Sequence, residues 1–522
     1  MKKITLLSLL IFLSACSIGP AYWIPPSGPD SGRAEYIYPT AEQPADPAPE
    51  IAAVAITPDA TARWIDRRPE TGLSALPTGS PQDGDLPIMY YAQAADTLPV
   101  LATRFGVEPS EIASSEPIPG TAYLTPGQVL FIPARLGTTT SAERLLPDSE
   151  VVFSPSAADF DTEAYVAQAG GRLATFQDWL KNVGTLSGAK IVYKVALENS
   201  INPRLLLALL EYQNGWVYGN PEEREARDYP LGYINDRHKG LYRQLVWAVN
   251  QLSTGYYAYR EGRLTELTFP DGSTLRLAPD LNAGTVALLY YFAQLKQGDA
   301  WNQAVDPQTG FPALYAQMYG DPWERAGHVE PLFPTGLAQP PLILPFVRNW
   351  EWSFTGGPHG AWEQEGAYAA LDFAPGSITS GCVESLAWVL AAASGLVTRA
   401  DDGLVVIDLD GDGREQTGWV LVYLHVAEKN RIKPGQWVDT GDPLGHPSCE
   451  GGIATGTHIH LARRFNGEWI PADGPLPFNL GGWVAHAGQE AYKGTLTRDG
   501  ITVPASVLSE SASILTRGPD DP

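Results

Sequence analysis

The sequence predicts a multidomain protein that combines a small α+β module, a mainly helical region and a mainly antiparallel β region. Its 522 residues are enough for about three or four domains. Apolar residues recur at helical spacing within residues 160–325, whereas 404–407, 419–423 and 457–461 are short runs typical of strands. We therefore expect helices in the middle of the chain and an antiparallel β fold in residues 338–500.

The N-terminus predicts the compartment. Lys2 and Lys3 precede an apolar run, residues 4–13, that is too short to span a bilayer as a stable helix. The motif Leu13-Ser-Ala-Cys16 resembles a bacterial lipobox. This resemblance implies a signal peptide over residues 1–15, a lipid on Cys16, and an extracytoplasmic protein anchored to a bacterial membrane, in the periplasm or at the cell surface. The alternative is an ordinary secretory signal with an incidental cysteine.

Residues 16–87 are rich in proline and show neither helical nor strand periodicity, which favours an extended tether. The whole chain carries 35 Lys and Arg against 59 Asp and Glu, a net charge of −24. Such an acidic chain is a poor partner for polyanions, because phosphate backbones are bound by clustered positive charge. We therefore expect no nucleic-acid partner.

Residues 88–136 resemble a LysM module. The features that carry the resemblance lie at 91–92, 96–98, 101–107, 112 and 124–133. Asp96 or Thr97 is placed to cap the first helix, and Ala95 stands where the family usually has glycine. The resemblance implies a βααβ fold and a partner glycan that contains N-acetylglucosamine.

The helix that Pro203 opens in residues 160–325 resembles the catalytic helix of lysozyme-like transglycosylases. That family's helix ends in Glu-Ser-Gly, but here Gln213-Asn-Gly215 stands in its place. Cleavage of a glycan needs a carboxylic acid that protonates the leaving oxygen, and an amide cannot supply this proton. Glu211 is two residues away, which turns it by about 200° on a helix. We therefore expect a lysozyme-like domain without glycosidase activity.

Five of the chain's eight histidines fall within residues 359–460, a stretch of about one hundred residues in its C-terminal third. His458 and His460 lie two apart in a strand-like run, so both imidazoles project from one face. Alone, this pair could equally be a surface feature, but His359, Asp372 and His425 add to it. Two histidines and one carboxylate are a common ligand set for catalytic zinc, and two further histidines are left to move protons.

Residues 340–482 resemble the lysostaphin and staphylolysin type of zinc endopeptidase, which cut peptidoglycan cross-bridges. Tyr368 stands where most of that family has its first histidine, four residues before Asp372. The staphylolysin branch spaces the two further apart, as in the thirteen residues from His359 to Asp372. The other motifs that carry the resemblance are Gly356-Gly-Pro-His359, Tyr423-Leu-His425, Gly456-Thr-His458-Ile-His460 and residues 464–470.

This resemblance implies a role for each site residue. His359, Asp372 and His460 would bind zinc, and His425 and His458 would be the catalytic pair, without an assignment of which one is the base. The implied partner is peptidoglycan, through its peptide cross-bridges and, by the LysM resemblance, its glycan. The rival function is a non-catalytic wall-binding scaffold or an activator of other wall hydrolases.

Cysteine counting predicts one disulfide. The chain has three cysteines, and if Cys16 carries lipid, Cys382 and Cys449 remain. Both lie in residues 338–500, and an extracytoplasmic compartment permits oxidation. The alternative is that either thiol binds a metal.

One acidic segment resembles the start of a calcium loop. Asp408, Asp410 and Asp412 alternate in the pattern of hard oxygen ligands, and Gly413 permits a tight turn. The twelfth position holds Trp419 in place of the usual Glu. The alternative is a solvated acidic hairpin loop. Residues 501–522 are expected to form a tail.

Overall fold

The computed structural model describes residues 87–362, 366–377 and 380–521. The predicted signal peptide, the lipid site at Cys16 and nearly all of the predicted tether lie outside these residues. Gly79–Pro522 form one compact unit. No helix in the described ranges combines the length and apolar character needed to cross a bilayer.

The N-terminal module consists of β1 (Ile88–Tyr91), α1 (Leu98–Phe105) and β2 (Val129–Ile132). The two strands pair antiparallel. As predicted, Thr97 caps α1, because its hydroxyl accepts a hydrogen bond from the amide of Val100. The second helix expected in a βααβ fold is a single 3₁₀ turn, Pro109–Glu111. The likeness to LysM stays a prediction.

The next region is mainly helical, as predicted. Its elements are α2 (Thr162–Ala169), α3 (Arg172–Thr175), β3 (Gln177–Leu180), β4 (Gly184–Ser187), α4 (Gly188–Asn199), α5 (Pro203–Asn214), α6 (Arg224–Asp228), α7 (Leu241–Arg260), β5 (Glu266–Thr268), β6 (Thr274–Arg276), α8 (Ala283–Ala293), α9 (Gly298–Ala304), α10 (Phe311–Tyr319) and α11 (Pro322–Ala326). Helices α7 and α8 approach closely at Gly255, where an added Cβ would lie 2.8 Å from Cβ of Tyr290. Gly255 therefore sets the spacing of these two helices.

The carboxylate of Glu211, near the end of helix α5, is engaged by backbone amides. Oε2 of Glu211 accepts hydrogen bonds from the amides of Val217 and Tyr218, at 2.9 and 3.0 Å. Gly215 follows the helix in a left-handed conformation, with φ of +61°. Glu211 thus holds the chain as it leaves α5, which is a structural task.

The C-terminal region is almost entirely β. Its strands are β7 (Glu351–His359), β8 (Ala370–Pro375), β9 (Val389–Leu390), β10 (Gly395–Arg399), β11 (Val405–Asp408), β12 (Trp419–Leu424), β13 (Trp437–Val438), β14 (Pro443–Gly445), β15 (Ile459–Phe465), β16 (Glu468–Trp469), β17 (Asn479–Leu480), β18 (Trp483–Ala487), β19 (Gly494–Arg498), β20 (Ile501–Pro504) and β21 (Ile514–Thr516). Residues 501–522, expected to be a tail, thus supply two strands.

The main sheet of the described chain has nine strands in the order β13-β10-β11-β12-β15-β8-β7-β21, with β16 paired to β15. All its recorded strand pairs are antiparallel. A second sheet joins β17, β18, β19 and β20. Strands β7, β8, β15 and β12 are neighbours, so the segments that carry the predicted site residues meet in the middle of the main sheet.

The hairpin of β15 and β16 docks into the helical region. An added Cβ on Gly467, at its turn, would lie 2.2 Å from the carbonyl oxygen of Phe153, and φ of Gly467 is +79°. Ser200 donates a hydrogen bond to the carbonyl of Gly467, and Tyr257 accepts one from the amide of Trp469. Only glycine fits this turn, so the contact between hairpin and helices is built into the sequence.

Arg260 connects all three parts of the unit. Its guanidinium contacts Asp148 Oδ2 at 3.0 Å and Glu468 Oε2 at 3.2 Å, and it also donates to the carbonyl of Ala94. The three charged side chains are nearly fully buried. A buried arginine is tolerated only where carboxylates and carbonyls satisfy it, so these groups hold the N-terminal module, the helices and the β15–β16 hairpin together.

Glu330 makes the stability of this junction depend on pH. Burial, and then the charge of Asp148, raises the pKa of Glu330 to about 7. In the unfolded chain a glutamate has a pKa of about 4.3. Between this value and 7 the Glu330 carboxyl therefore binds more protons in the folded state than in the unfolded state. This contribution to stability is complete below about pH 4 and is lost as the pH rises through 7.

Thermal unfolding from pH 5 to 8 should therefore show a smaller fall in Tm for Glu330→Gln than for the unchanged protein. The amide can still accept the hydrogen bond that Glu330 Oε1 receives from the amide of Ser149, at 2.8 Å. Parallel curves for the two proteins would contradict this origin of the pH dependence.

Candidate metal centre

Three neighbouring strands position the predicted metal ligands. Asp372 of β8 lies opposite His460 of β15 and opposite Gly356 of β7, and His359 is the last residue of β7. An added Cβ on Gly356 would lie 2.5 Å from Oδ2 of Asp372. The glycine therefore leaves the space that the carboxylate occupies.

The three side chains converge on one point. Nε2 of His359 lies 3.0 Å from Nδ1 of His460, and Oδ1 of Asp372 lies 3.3 and 3.4 Å from these two nitrogens. All three residues are buried. Ligand atoms at these separations can be bound by one ion.

The donor set fits a metal. Among the described residues, Oδ1 of Asp372 has no hydrogen-bond partner. The outward nitrogens are satisfied, because Nδ1 of His359 contacts the carbonyl of Gly357 at 2.8 Å and Nε2 of His460 contacts that of Ala361 at 2.9 Å. Such outer contacts fix the tautomer and leave the inner nitrogen as a lone-pair donor. Two imidazoles and one carboxylate suit zinc.

The electrostatics of the centre favour a charged carboxylate at Asp372. Burial opposes the charge of Asp372, yet His359 and His460 hold the pKa of Asp372 well below its usual value. Burial lowers the pKa of His460. Burial also opposes the charge of His359, but Asp372 raises the pKa of His359 above its usual value. Asp372 therefore carries the negative charge of the site.

His425 and His458 lie beside the three ligands. Their Nδ1 atoms contact the carbonyls of Glu450 and Gly456 at 2.9 and 2.7 Å, and their ring centroids are 4.4 Å apart. Nε2 of His458 is 3.8 Å from Oδ1 of Asp372. Burial, followed by the neighbouring His458 and His460, lowers the pKa of His425 to about 4, so this ring is neutral at pH 7.

The backbone of His425 is in the left-handed region, with φ of +65°, which is unusual for a residue with a side chain. The segment 448–450 holds it there. The amide of Ser448 donates to the carbonyl of His425 at 2.7 Å, and the carbonyl of Ser448 accepts from the amide of His458 at 3.3 Å. This single segment therefore contacts both histidines.

The structure contains the predicted disulfide between Cys382 and Cys449. Cys449 lies inside the segment that holds His425 and His458. On the other side, Gly381 and Val383 flank Cys382 and bond to Thr457, the residue before His458. The disulfide thus joins two loops that together position His425 and His458.

Tyr492 is a site residue that sequence reasoning missed. Its ring stacks on His359, with centroids 4.1 Å apart and planes 20° from parallel. It belongs to the turn between β18 and β19, where no motif marks it. Tyr368, which replaces the usual first histidine, is not part of the centre; its ring faces Arg263 instead.

The acidic segment forms a second cluster. Ligand oxygens of Asp408, Asp410 and Asp412 lie within 4.8 Å of one another, in the loop between β11 and β12. Burial, and then contact with Asp410, raises the pKa of Asp408 to about 6. Three carboxylates thus crowd together away from the histidines.

Comparison with known proteins finds similarity to a protease family. A family model described as "LasA, N-terminal domain" matches residues 144–333, the helical region. Protease LasA of Pseudomonas aeruginosa strain UCBPP-PA14 is 26% identical over 359 residues, covering 64% of this chain and 78% of the relative. Protease LasA of strain PAO1 is 26% identical over 363 residues, with the same coverage. Both relatives are proteases. This similarity supports the predicted metallopeptidase, while the lysozyme-like assignment of the helical region stays a prediction.

Two solved structures are similar to part of the chain. The deep-sea M23 metalloprotease pseudoalterin is 24% identical, covers 32% of this chain and 96% of its own, and gives a TM-score of 0.28. The catalytic domain of lysostaphin from Staphylococcus simulans is 21% identical, covers 24% of this chain and 90% of its own, and gives 0.18.

Proposed function

We propose that the protein is a zinc-dependent endopeptidase that hydrolyses the peptide cross-bridges of bacterial peptidoglycan, outside the cytoplasm and anchored through a lipid on Cys16. The observation that carries the proposal is the convergence of His359 Nε2, Asp372 Oδ1 and His460 Nδ1 within 3.0–3.4 Å, with two more imidazoles beside them. Protease LasA as a relative supports the peptide bond as the target.

Each group has a defined part in the hydrolysis. His359, Asp372 and His460 would hold the zinc ion, which would supply Lewis-acid chemistry for peptide hydrolysis. His425 and His458 each donate Nδ1–H to a backbone carbonyl, which leaves Nε2 free to accept a proton. Peptide hydrolysis needs one proton taken from water and one delivered to the leaving amine, and the pair can perform both transfers.

A polar cavity supports the proposed contact with glycan. It has a volume of about 440 Å³ and lies between the N-terminal module and the helical region; its walls include Tyr91, Trp323, Arg144 and Glu330. Aromatic faces beside charged groups suit sugar rings, which present apolar faces and hydroxyl edges. Glycan bound here would hold the cross-bridge near the peptidase.

Digestion of purified sacculi, with and without a chelator, tests the function. We expect new peptide amines by mass spectrometry, no new reducing or anhydro sugar ends, and loss of activity with the chelator. A zinc-loaded His425→Ala protein is the matched control and should bind sacculi without releasing amines. Trp323→Ala should weaken the binding to sacculi. Trp179→Ala, which changes an exposed side chain outside the cavity, should not weaken it.

Other outcomes would identify the rivals. Binding without any cleavage by the unchanged protein favours the scaffold or activator. Sugar ends that disappear in Glu211→Gln would show that the helical region is a glycosidase.

A further inference from the structure

The loop between β11 and β12 contains a buried carboxylate oxygen with nothing to balance it. Asp408 is fully buried at the end of β11. Its Oδ2 accepts a hydrogen bond from the amide of Gly413 at 2.8 Å, whereas its Oδ1 has no partner among the described residues. Such an oxygen costs free energy unless a cation or a donor meets it.

The neighbouring side chains make the imbalance worse. Asp410 and Asp412 bring ligand oxygens within 4.8 Å of Asp408. Asp410 and Asp412 are exposed, and Oδ2 of Asp410 lies over Gly418, 2.1 Å from where an added Cβ would be. Like charges this close repel one another in a partly buried site.

The nearby arginines are engaged elsewhere. In the described chain, no Lys or Arg forms an ion pair with Asp408, Asp410 or Asp412. Arg414, in the same loop, pairs with Asp159 at 2.7 Å. Arg399 and Arg464 both bind Glu415, at 2.6 Å. The residues that the structure describes therefore provide no ion pair for the cluster.

We propose that Asp408, Asp410 and Asp412 bind a Ca²⁺ ion that is separate from the catalytic metal and braces the β11–β12 hairpin. The ligands are all oxygens, which excludes a preference for zinc, and flexible carboxylates suit Ca²⁺ better than the strict octahedron of Mg²⁺. Gly413, with φ of +84°, makes the turn at the sixth position. Because the twelfth position lacks a Glu, we expect weak binding, with a Kd of about 10⁻⁴–10⁻³ M.

The ion would act on the stability of the sheet. Strand β12 leads from this loop to His425, and Glu415 in the loop pairs with Arg464 of β15, the strand that carries His460. Binding to the folded state alone raises stability by mass action. We expect a higher Tm with Ca²⁺ and no need for Ca²⁺ in the chemical step.

Terbium luminescence provides a direct test with the full zinc-loaded protein. A ring atom of Trp437 lies 2.8 Å from where an added Cβ on Gly411 would be, so the indole is placed to sensitise Tb³⁺ in this loop. We expect saturable emission that Ca²⁺ displaces and equal Mg²⁺ does not, and a Tm that rises by several degrees with millimolar Ca²⁺. Asp408→Asn should lose both effects while keeping its zinc.

Matched variants locate the ion. Asp439, whose Oδ1 is 3.4 Å from the indole nitrogen of Trp437, provides the control, and Asp439→Asn should keep the full signal. Asp412→Asn, at an exposed position, repeats the test if Asp408→Asn does not fold. Emission that survives Asp412→Asn but not Asp439→Asn, or a Tm indifferent to Ca²⁺, would overturn the proposal. None of these readouts depends on peptidase activity.

Discussion

Replacing His460 with alanine should release the metal and abolish hydrolysis, whereas replacing His425 with alanine should abolish hydrolysis and leave the metal bound. His460 supplies one of three converging ligand atoms, and two cannot hold a catalytic ion firmly. His425 is not one of the three ligands but one of the two histidines proposed to move protons, and loss of general acid–base catalysis costs about 10²–10⁴ in rate. Zinc content by elemental analysis, together with release of amines from a soluble cross-bridge peptide, separates the two cases.

His486→Ala is the control for that pair. His486 lies on β18, and its ring contacts the hydroxyl of Thr497 at 2.8 Å. This variant should keep both zinc and activity. Equal zinc in the unchanged protein and in a variant that lacks His359, Asp372 and His460 together would refute the assignment of the ligands.

Replacing Arg260 with methionine should cost about 3–5 kcal/mol of folding stability, because Asp148 and Glu468 would then be buried without their cation. Urea unfolding measures the loss. Arg224→Met is the matched control: that arginine is 83% exposed in its pair with Asp228, so its unfolding midpoint should hardly move.

A double variant tests whether unbalanced buried carboxylates cause the loss of stability. Adding Glu468→Gln to Arg260→Met removes one of the unbalanced charges and should restore part of the stability. An Arg260→Met protein as stable as Arg224→Met would mean that the buried network holds nothing together.

The sequence carries the metal centre unusually well, since scarce histidines two residues apart on a strand must share a face. His458 directly precedes β15 and His460 lies within it, and both rings reach Oδ1 of Asp372, at 3.8 and 3.4 Å. Cysteine counting also predicted the disulfide between Cys382 and Cys449 correctly. Local chemistry also narrowed the cap of α1 to Asp96 or Thr97, and the structure has Thr97 there. These features depend on residue type and short spacing, which are visible in one chain.

Features that depend on distant partners could not be read in this way. Arg260 and Glu468 are 208 residues apart, and nothing near either residue marks the pair. Tyr492 reaches His359 only because the turn after β18 folds back onto β7. The engaged carboxylate of Glu211 likewise depends on where the chain goes after its helix. Tertiary placement, which periodicity does not encode, decides all three.

The docked hairpin limits how this enzyme can be shortened. A protein that starts at residue 338 would bring Trp469 and Ile470, 4% and 0% exposed, into water and would leave Glu468 without Arg260. The same strand, β15, carries His460 about 17 Å from the turn at a rise of 3.4 Å per residue. Fraying of β15 at the turn would therefore disturb His460 at the other end of the strand. A shortened protein needs polar residues at 467–470 to keep this strand folded.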